Sequence, residues 1–434
     1  MEHHFRELSI VRISSLDSGS SDIVVVGGGI AGATIALVLA RAGLAVTVLE
    51  QQLSYRDRVR GEYPQPWGVA EAQRLGISEI LVRAGGFFAR RIIPYDEINP
   101  PHAAEAAARA LDELVPGVPG ALCVSHPAAC LALSQAAETA GATVIRGIGR
   151  LVVAPGLEPA VTFELDGVEH RLSCRLIVGA DGRSSTVRTQ AGIRLLRDEP
   201  THLMSGMLVD HVPEWPQGDI AIGTGGEVNF FVFPQGGQKL RLYTCTALDQ
   251  RARYTGPAGP RRFLNDFRGL SCVPFHEALG RATPIGPCAT MGGEDTWTEI
   301  PFVEGIVLVG DAGGYNDPII GEGLSLALRD VRLLSEILLE EQEWAPAHLK
   351  HYGEGRREGF RRMRMVAALR AALSAQFGPE AAAGRAHFRD RVREDPNLGV
   401  LAVVTHLGPD RAPAWVFDET MHGAVLNADQ VVAV

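Results

Sequence analysis

Asp22-Ile23-Val24-Val25-Val26-Gly27-Gly28-Gly29-Ile30-Ala31-Gly32 is an apolar run that breaks into closely spaced glycines and continues in small and apolar residues to Ala42. Residues 23–26 are uniformly apolar and β-branched but for Val-rich monotony, as in a strand buried on both faces. Residues 30–42 have the length and small side chains of a buried helix. After Gly43 a second apolar run, 45–49, ends at Glu50. Strand, glycine turn, helix and strand in this order make a βαβ unit. Gly27, Gly29 and Gly32 form G-x-G-x-x-G within it. The first permits the turn, the second lets a pyrophosphate approach the backbone, and the third lets helix and strand pack closely, while the helix N-terminus supplies partial positive charge. Glu50, with Gln51 beside it, stands where an acidic group can accept the hydroxyls of an adenosine ribose. The unit predicts dinucleotide binding.

Working outward, residues 58–68 form a Pro/Gly-rich loop before a helix at 69–76. A helix is expected at 103–114, a break at 116–119 and a further helix at 127–140. Strands follow at 143–145 and 151–153, then a hairpin of 161–165 and 169–172 around Asp166-Gly167, and a buried strand at 176–178. From 202 to 246 the pattern changes to successive strands at 203–209, 220–223, 228–233 and 240–245. Residues 306–309 again read as a buried strand, 323–339 as a long helix, and the chain stays helical to about 377. The expected architecture is α/β: a doubly wound Rossmann-like domain from 22–200 and 282–345, an inserted antiparallel β-sheet substrate domain at 201–281, and a helical C-terminal region at 346–434. Residues 1–21 read as a flexible arm.

Composition bounds the function. The chain has 434 residues, of which 46% are hydrophobic and 21% charged, as in a globular protein of more than one domain. A net charge of -10 argues against nucleic acid as a partner. Lys239 and Lys350 are the only lysines, and the six cysteines form no CxxC pair. Buried thiols, no metal site and a cytoplasmic location are therefore expected. No stretch is long and apolar enough to span a bilayer.

Two later segments narrow the nucleotide. Gly179-Ala180-Asp181-Gly182-Arg183-Ser184-Ser185-Thr186-Val187-Arg188 and Val309-Gly310-Asp311-Ala312-Gly313-Gly314-Tyr315-Asn316-Asp317-Pro318-Ile319-Ile320-Gly321-Glu322-Gly323-Leu324 each follow a buried strand. With the first turn, they resemble the three fingerprints of the class A, aromatic hydroxylase type, flavoprotein monooxygenases, from Asp22 to about Leu339. The resemblance implies FAD as cofactor and NADPH or NADH as electron donor. It further implies that Asp311 holds the ribityl chain, that Pro318 and Gly321 lie beside the isoalloxazine, and that the amides of Gly323 and Leu324 face its N1 and C2 carbonyl. A helix N-terminus there would stabilise the negative charge of reduced flavin. Asp181 and Gly182 would serve FAD and the approach of NADPH, although Asp181 can equally cap the turn after its strand. Arg60, or else Arg58, would meet the FAD and the incoming nicotinamide.

Some positions depart from the family pattern. Ser125-His126-Pro127 stands where an arginine usually contacts the pyrophosphate, so His126 is the candidate to substitute for it in binding the cofactor, or else only caps its helix. Gly314 replaces a common histidine and Ser325 a common asparagine. The Gly321-Glu322-Gly323 ending is closer to the geranylgeranyl reductases, which saturate prenyl double bonds, whereas Arg329 and Asp330 restore the hydroxylase pattern. The halogenases of this fold need a lysine between flavin and substrate, and no lysine precedes Lys239.

The implied reaction is insertion of one atom of molecular oxygen through a C4a-hydroperoxyflavin into an apolar, aromatic small molecule. Reduction of a prenyl or other double bond is the alternative. On strand 228–233, alternation places Phe231 and Phe233 on one face and Phe230 and Val232 on the other. Phe231, Phe233, Trp67, Met204 and Tyr315 are the candidate walls of the substrate site. A monomer or homodimer is expected.

Overall fold

The computed structural model describes residues 21–57, 59 and 62–425. The expected arm therefore lies outside the described residues except Ser21, which opens the first strand. In the first part of the chain, β1 (Ser21–Val26), α1 (Ile30–Arg41), β2 (Val46–Glu50), α2 (Pro66–Arg74), β3 (Arg91–Asp96), α3 (His126–Thr139), β4 (Thr143–Arg146) and β5 (Val168–Gly179) carry the argument. They are followed by β6 (His202–Asp210), β7 (Asp219–Gly225), β8 (Val228–Pro234) and β9 (Leu240–Thr246). Then come β10 (Ile306–Leu308), α4 (Gly323–Glu340) and α5 (Pro346–Ser374).

The nucleotide-binding sheet has the parallel order β10, β5, β1, β2, β4. Ile23, Val24 and Val25 are fully buried within it, which is why β1 carries no polar alternation. The register aligns Val26 with both Gly179 and Leu49, and Gly179 with Leu308. The three glycine-rich segments and Glu50 thus leave the sheet at one edge, the carboxyl edge where open α/β sheets bind ligands.

The second sheet runs β6, β9, β8, β7, β3, with the last pair parallel and the others antiparallel. The short strand Ala289–Gly293 pairs with the other side of β6. The strands within the expected limits 201–281 pair antiparallel with one another, and strands from outside those limits join them. β3 comes from the earlier segment and Ala289–Gly293 from the later one. The expected helix at 103–114 is cut to Pro101–Ala106, and Arg109 and Ala110 pair with Ile92 and Arg91 at the sheet edge.

Phe230 and Val232 pack on the outer face of this sheet against Phe263 and Phe267 of the covering helix Gly259–Gly269. Phe231 and Phe233 face the other way, toward the nucleotide-binding domain. Helices α4 and α5 pack together, and the chain beyond α5 continues through helix Pro379–Glu394. Four cysteines are buried and two, Cys272 and Cys288, are half-buried; all six are free thiols. No helix among the described residues is long and apolar enough to cross a membrane.

Candidate active site: two joined clefts

At the carboxyl edge of the first sheet two clefts meet. The outer one is lined by Gly27, Gly29, Glu50, Gln51, Tyr55, His126, Asp181 and Gly182, among others. The inner one lies between the sheets and is lined by residues including Tyr63, Met204, Phe231, Phe233, Asp311, Tyr315, Pro318, Gly321, Gly323 and Leu324. Gly29, His126, Ala180 and Gly182 belong to both.

The turn between β1 and α1 has a shape that only glycine permits. Gly27 has φ +101°, and a Cβ there would lie 2.4 Å from Ala180 O. A Cβ on Gly32 would lie 1.9 Å from Gly27 O, so α1 could not pack onto its own turn. At Gly29, by contrast, a Cβ would meet nothing within 4 Å, leaving open backbone for a pyrophosphate. Glu50 is buried and accepts from Gly28 N at 2.6 Å and Gln52 N at 2.7 Å, so its carboxylate braces the turn while facing the outer cleft. The Tyr55 hydroxyl donates to Gly28 O, and the Arg146 guanidinium sits 4.6 Å from the Tyr55 ring centroid. Sequence reasoning missed both, because their contacts lie on a different strand and an irregular loop.

The Asp181 carboxylate accepts from Ser185 Oγ at 2.5 Å and from the amides of Thr186 at 2.7 Å and Val187 at 3.1 Å. Its capping role is thus structural, while it also lines the outer cleft. His126 opens α3 where the clefts join, its Nε2 3.5 Å from Cys130 Sγ.

Asp311 lies in the turn after β10, its Oδ2 3.4 Å from Arg183 Nε. That turn is fixed from behind. Buried Asp330 on α4 accepts from Gly310 N at 2.9 Å, and buried Arg356 on α5 donates to Asp330 at 2.8 Å and to the carbonyls of Gly310 and Gly314 at 3.1 and 3.3 Å. Gly314 has φ +117°, and a Cβ there would lie 2.3 Å from Thr296 O, so the replacement of histidine at this position follows from backbone packing. Ser325 Oγ accepts from Gln65 N at 3.1 Å and packs against Gly68, tying α4 to the start of α2.

Pro318–Ile320 forms one 3₁₀ turn, capped by Asp317, before α4 begins at Gly323. Among the described residues no side chain caps α4, and its first residues line the inner cleft, so the amides of its first turn and the positive end of the helix dipole face that space. A Cβ on Gly323 would meet nothing within 4 Å. An open glycine turn in one cleft and an uncapped helix N-terminus in the other are the donors that a dinucleotide with an electron-accepting ring requires. The residues present fit FAD.

The aromatic wall is compact: Tyr63 and Phe233 have ring centroids 4.8 Å apart, and Phe231 and Phe233 6.1 Å. Tyr315 donates its hydroxyl to Glu294 at 2.7 Å and lies under Arg183, 4.4 Å from its ring centroid. Trp67 requires a correction. It is buried outside the cavity wall, packed against Gly408, and donates from Nε1 to Glu322 Oε2 at 2.9 Å. Arg58 and Arg60 lie outside the described residues. Asp57 and Glu62, which flank them in the sequence, are both bonded by buried Arg241 of β9, Glu62 at 2.8 Å through Nε and Asp57 at 2.6 Å through Nη2.

Glu322 lines the inner cleft and is fully buried, and its Oε1 has no hydrogen-bond partner among the described residues. Burial pushes its carboxyl well above the usual range, against the weaker opposing effect of the Trp67 bond. Tyr63, whose hydroxyl is also unpartnered, is pushed up by burial and further by Cys123 and Glu322. The sequence marked Glu322 only as a departure from pattern. Gln65, Arg241, Arg370, Thr405 and His406 also line the cavity and had no local signal.

Comparison with known proteins matches the family described as FAD binding domain to residues 20–367. Digeranylgeranylglycerophospholipid reductase 2 of Methanothermobacter thermautotrophicus is 28% identical over 338 residues, 74% of this chain and 78% of that protein. The 6-methylpretetramide 4-monooxygenase of Streptomyces rimosus is 28% identical over 351 residues, 75% of this chain and 76% of that protein. Among solved structures, a flavoprotein/dehydrogenase from Cytophaga hutchinsonii superposes with a TM-score of 0.73 at 16% identity, covering 94% of this chain and 99% of the other.

Proposed function

The chain belongs to the FAD binding domain family and is an FAD-dependent oxidoreductase; on that premise we propose that it is an NAD(P)H-consuming monooxygenase that inserts one oxygen atom into an apolar, aromatic small molecule. The observation that carries this reading is the inner cleft, where the aromatic wall of Tyr63, Phe231 and Phe233 confronts the uncapped N-terminus of α4. FAD, when bound, would supply electron storage and oxygen activation. The residues of the chain do the rest. Gly27, Gly29, Gly32 and Glu50 would hold the adenosine and pyrophosphate, and Asp311 the ribityl chain. Pro318 and Gly321 would shape the backbone beside the ring, and the amides of Gly323 and Leu324 would stabilise negative charge on it. Phe231, Phe233, Met204 and Tyr315 would exclude water and position the substrate. Arg60 would meet the nicotinamide.

One observation favours a second reading, the reduction of an activated double bond. Such a reaction needs a proton donor at the cavity, and Glu322 beside Tyr63 is a buried acid facing it whose carboxyl burial pushes well above its usual range. The two are separated by supplying NADPH, isotopically labelled dioxygen and candidate substrates to the FAD-loaded protein. One labelled oxygen atom in the product supports the monooxygenase; a product that gains two hydrogens and no oxygen overturns it in favour of the reductase.

A further inference from the structure

Part of the cavity wall comes from the C-terminal region, where Arg370 of α5 meets Thr405 and His406. Gln65 fixes the state of the histidine. Its Nε2 donates to Ile320 O at 3.2 Å, so its Oε1 must accept from His406 Nδ1 at 2.7 Å. His406 Nε2 is then an acceptor, and it is buried without a partner among the described residues. Burial, followed by the neighbouring cations Arg109 and Arg370, pushes the imidazole down to about 3.

The cations themselves are unbalanced. Arg109, on the strand pair beside Ile92, donates from Nη1 to Ala402 O at 3.0 Å and has no ion pair among the described residues. Arg370 has neither a hydrogen bond nor an ion pair among them, and burial followed by Arg109 lowers it to about 10. Among the described residues no carboxylate contributes to the shifts of the three groups, which come from burial and from one another. Elsewhere among the described residues three of the four buried arginines have carboxylate partners, Arg241 with Glu62 and Asp57, Arg356 with Asp330 and Arg329 with Asp410, and the fourth, Arg188, donates to the carbonyls of Ala312 and Arg183. A half-buried guanidinium that faces a cavity without a counter-ion is a recognition group for one.

We infer that Arg370, backed by Arg109 and His406, is a subsite for an anionic oxygen carried by the substrate, which makes the substrate an apolar body with an acidic group at one end. The aromatic wall receives the body and Arg370 the charge. A carboxylate reaching the subsite would draw a proton from solvent onto His406 Nε2. An acidic hydroxyl would donate a hydrogen bond to His406 Nε2 or, if it arrives ionised, set its oxyanion against Arg370. This inference rests on the inner cleft being the substrate site and is indifferent to which reaction the flavin performs.

The test is equilibrium binding to the FAD-loaded protein without reductant, read from the flavin absorption bands, using 2-naphthoate and 2-naphthamide as probes matched in shape and differing in charge. Naphthoate is expected to bind about tenfold or more tightly than naphthamide. Arg370→Met should abolish that preference while leaving naphthamide affinity and FAD content unchanged, and Arg370→Lys should keep part of it. Equal affinities for the two probes, or a preference that survives in Arg370→Met, would overturn the inference. If Arg370→Met fails to hold FAD, the wild-type comparison and Arg370→Lys decide on the same terms. A 2-naphthol arm assigns the source: bound naphtholate, seen by its shifted absorption, marks an ionised hydroxyl, whereas naphthoate preference without it marks a carboxylate. Because no turnover is measured, failure of the oxygen-labelling experiment leaves this result standing, and the converse holds.

Discussion

Replacing Arg356 by methionine tests how the Asp311 turn is held. Arg356 is 1% exposed; its guanidinium bonds Asp330 and the carbonyls of Gly310 and Gly314 and lies 4.5 Å from the Phe360 ring centroid. Methionine fills much of the volume, so the loss is chiefly electrostatic. Asp330, also 1% exposed, would retain only the Gly310 amide as a close partner. Breaking a buried pair in this way costs about 3–5 kcal/mol, because it leaves one charge buried and uncompensated. Urea unfolding followed by fluorescence should show a loss of that size, together with a lowered FAD content, since the turn that carries Asp311 loses two of its carbonyl anchors. The sharper expectation is a change of sign. Asp330→Asn alone should destabilise the protein by stranding Arg356, but in the Arg356→Met background it should stabilise, because asparagine can still accept from Gly310 N and carries no charge. The coupling should be about 1–3 kcal/mol. If Arg356→Met costs less than about 1 kcal/mol, or if Asp330→Asn destabilises both backgrounds, the pair is not what holds the turn.

Gly314→Ala should lower stability by more than about 2 kcal/mol in the same assay, since φ +117° and the approach of Thr296 O act together; an unchanged midpoint would mean that the turn relaxes freely. Asp311→Ala is expected to purify with a substoichiometric FAD content by absorbance, and full occupancy would remove Asp311 from the ribityl contact. Glu322→Gln should raise stability more at pH 8 than at pH 5. The folded carboxyl is raised above its ordinary value near 4.5, so its contribution is fully present below that value and is lost as pH rises, and glutamine cannot ionise. Thermal unfolding at the two pH values checks this, and an equal effect at both refutes it. Arg60→Ala should slow flavin reduction by NADPH in stopped flow, and an unchanged rate would make Arg60 ordinary surface charge.

The parts of the fold legible in the sequence are those whose pattern is local. β1 is apolar at every interior position because it is covered on both faces, and β8 alternates because Phe230 and Phe231 enter different cores. Both facts are visible within seven residues. β3 was not legible. Its proline, Pro94, argues against an interior strand, yet it sits opposite Ile222 in a parallel pairing with a strand more than a hundred residues later. Trp67 misled for a related reason. An aromatic residue after a Pro/Gly-rich loop reads as a pocket wall, but the buried group that claims its indole N–H, Glu322, comes from a distant turn. Arg370 and His406 lie on helical segments whose composition says nothing of a cavity, and only tertiary packing turns them toward it.

Three of the departures from the hydroxylase pattern, Gly314, Ser325 and Glu322, are not equivalent once placed in the structure. Gly314 is required by its backbone, which approaches Thr296 too closely for any side chain, and it points to no chemistry. Ser325 is engaged with Gln65 N and packs at a helix contact, so it too belongs to the scaffold. Glu322 differs from both. Its packing is satisfied by one oxygen, held by Trp67, while the other oxygen has no partner in a cavity that Tyr63 shares. A purely structural residue buried this deeply would cost less as leucine or glutamine, because a lone carboxyl must stay protonated or be destabilising. Retaining an ionisable group where ionisation is penalised has a physical rationale if a proton is exchanged there. Of these three positions, Glu322 is therefore the one through which the choice between inserting oxygen and delivering a proton would be made.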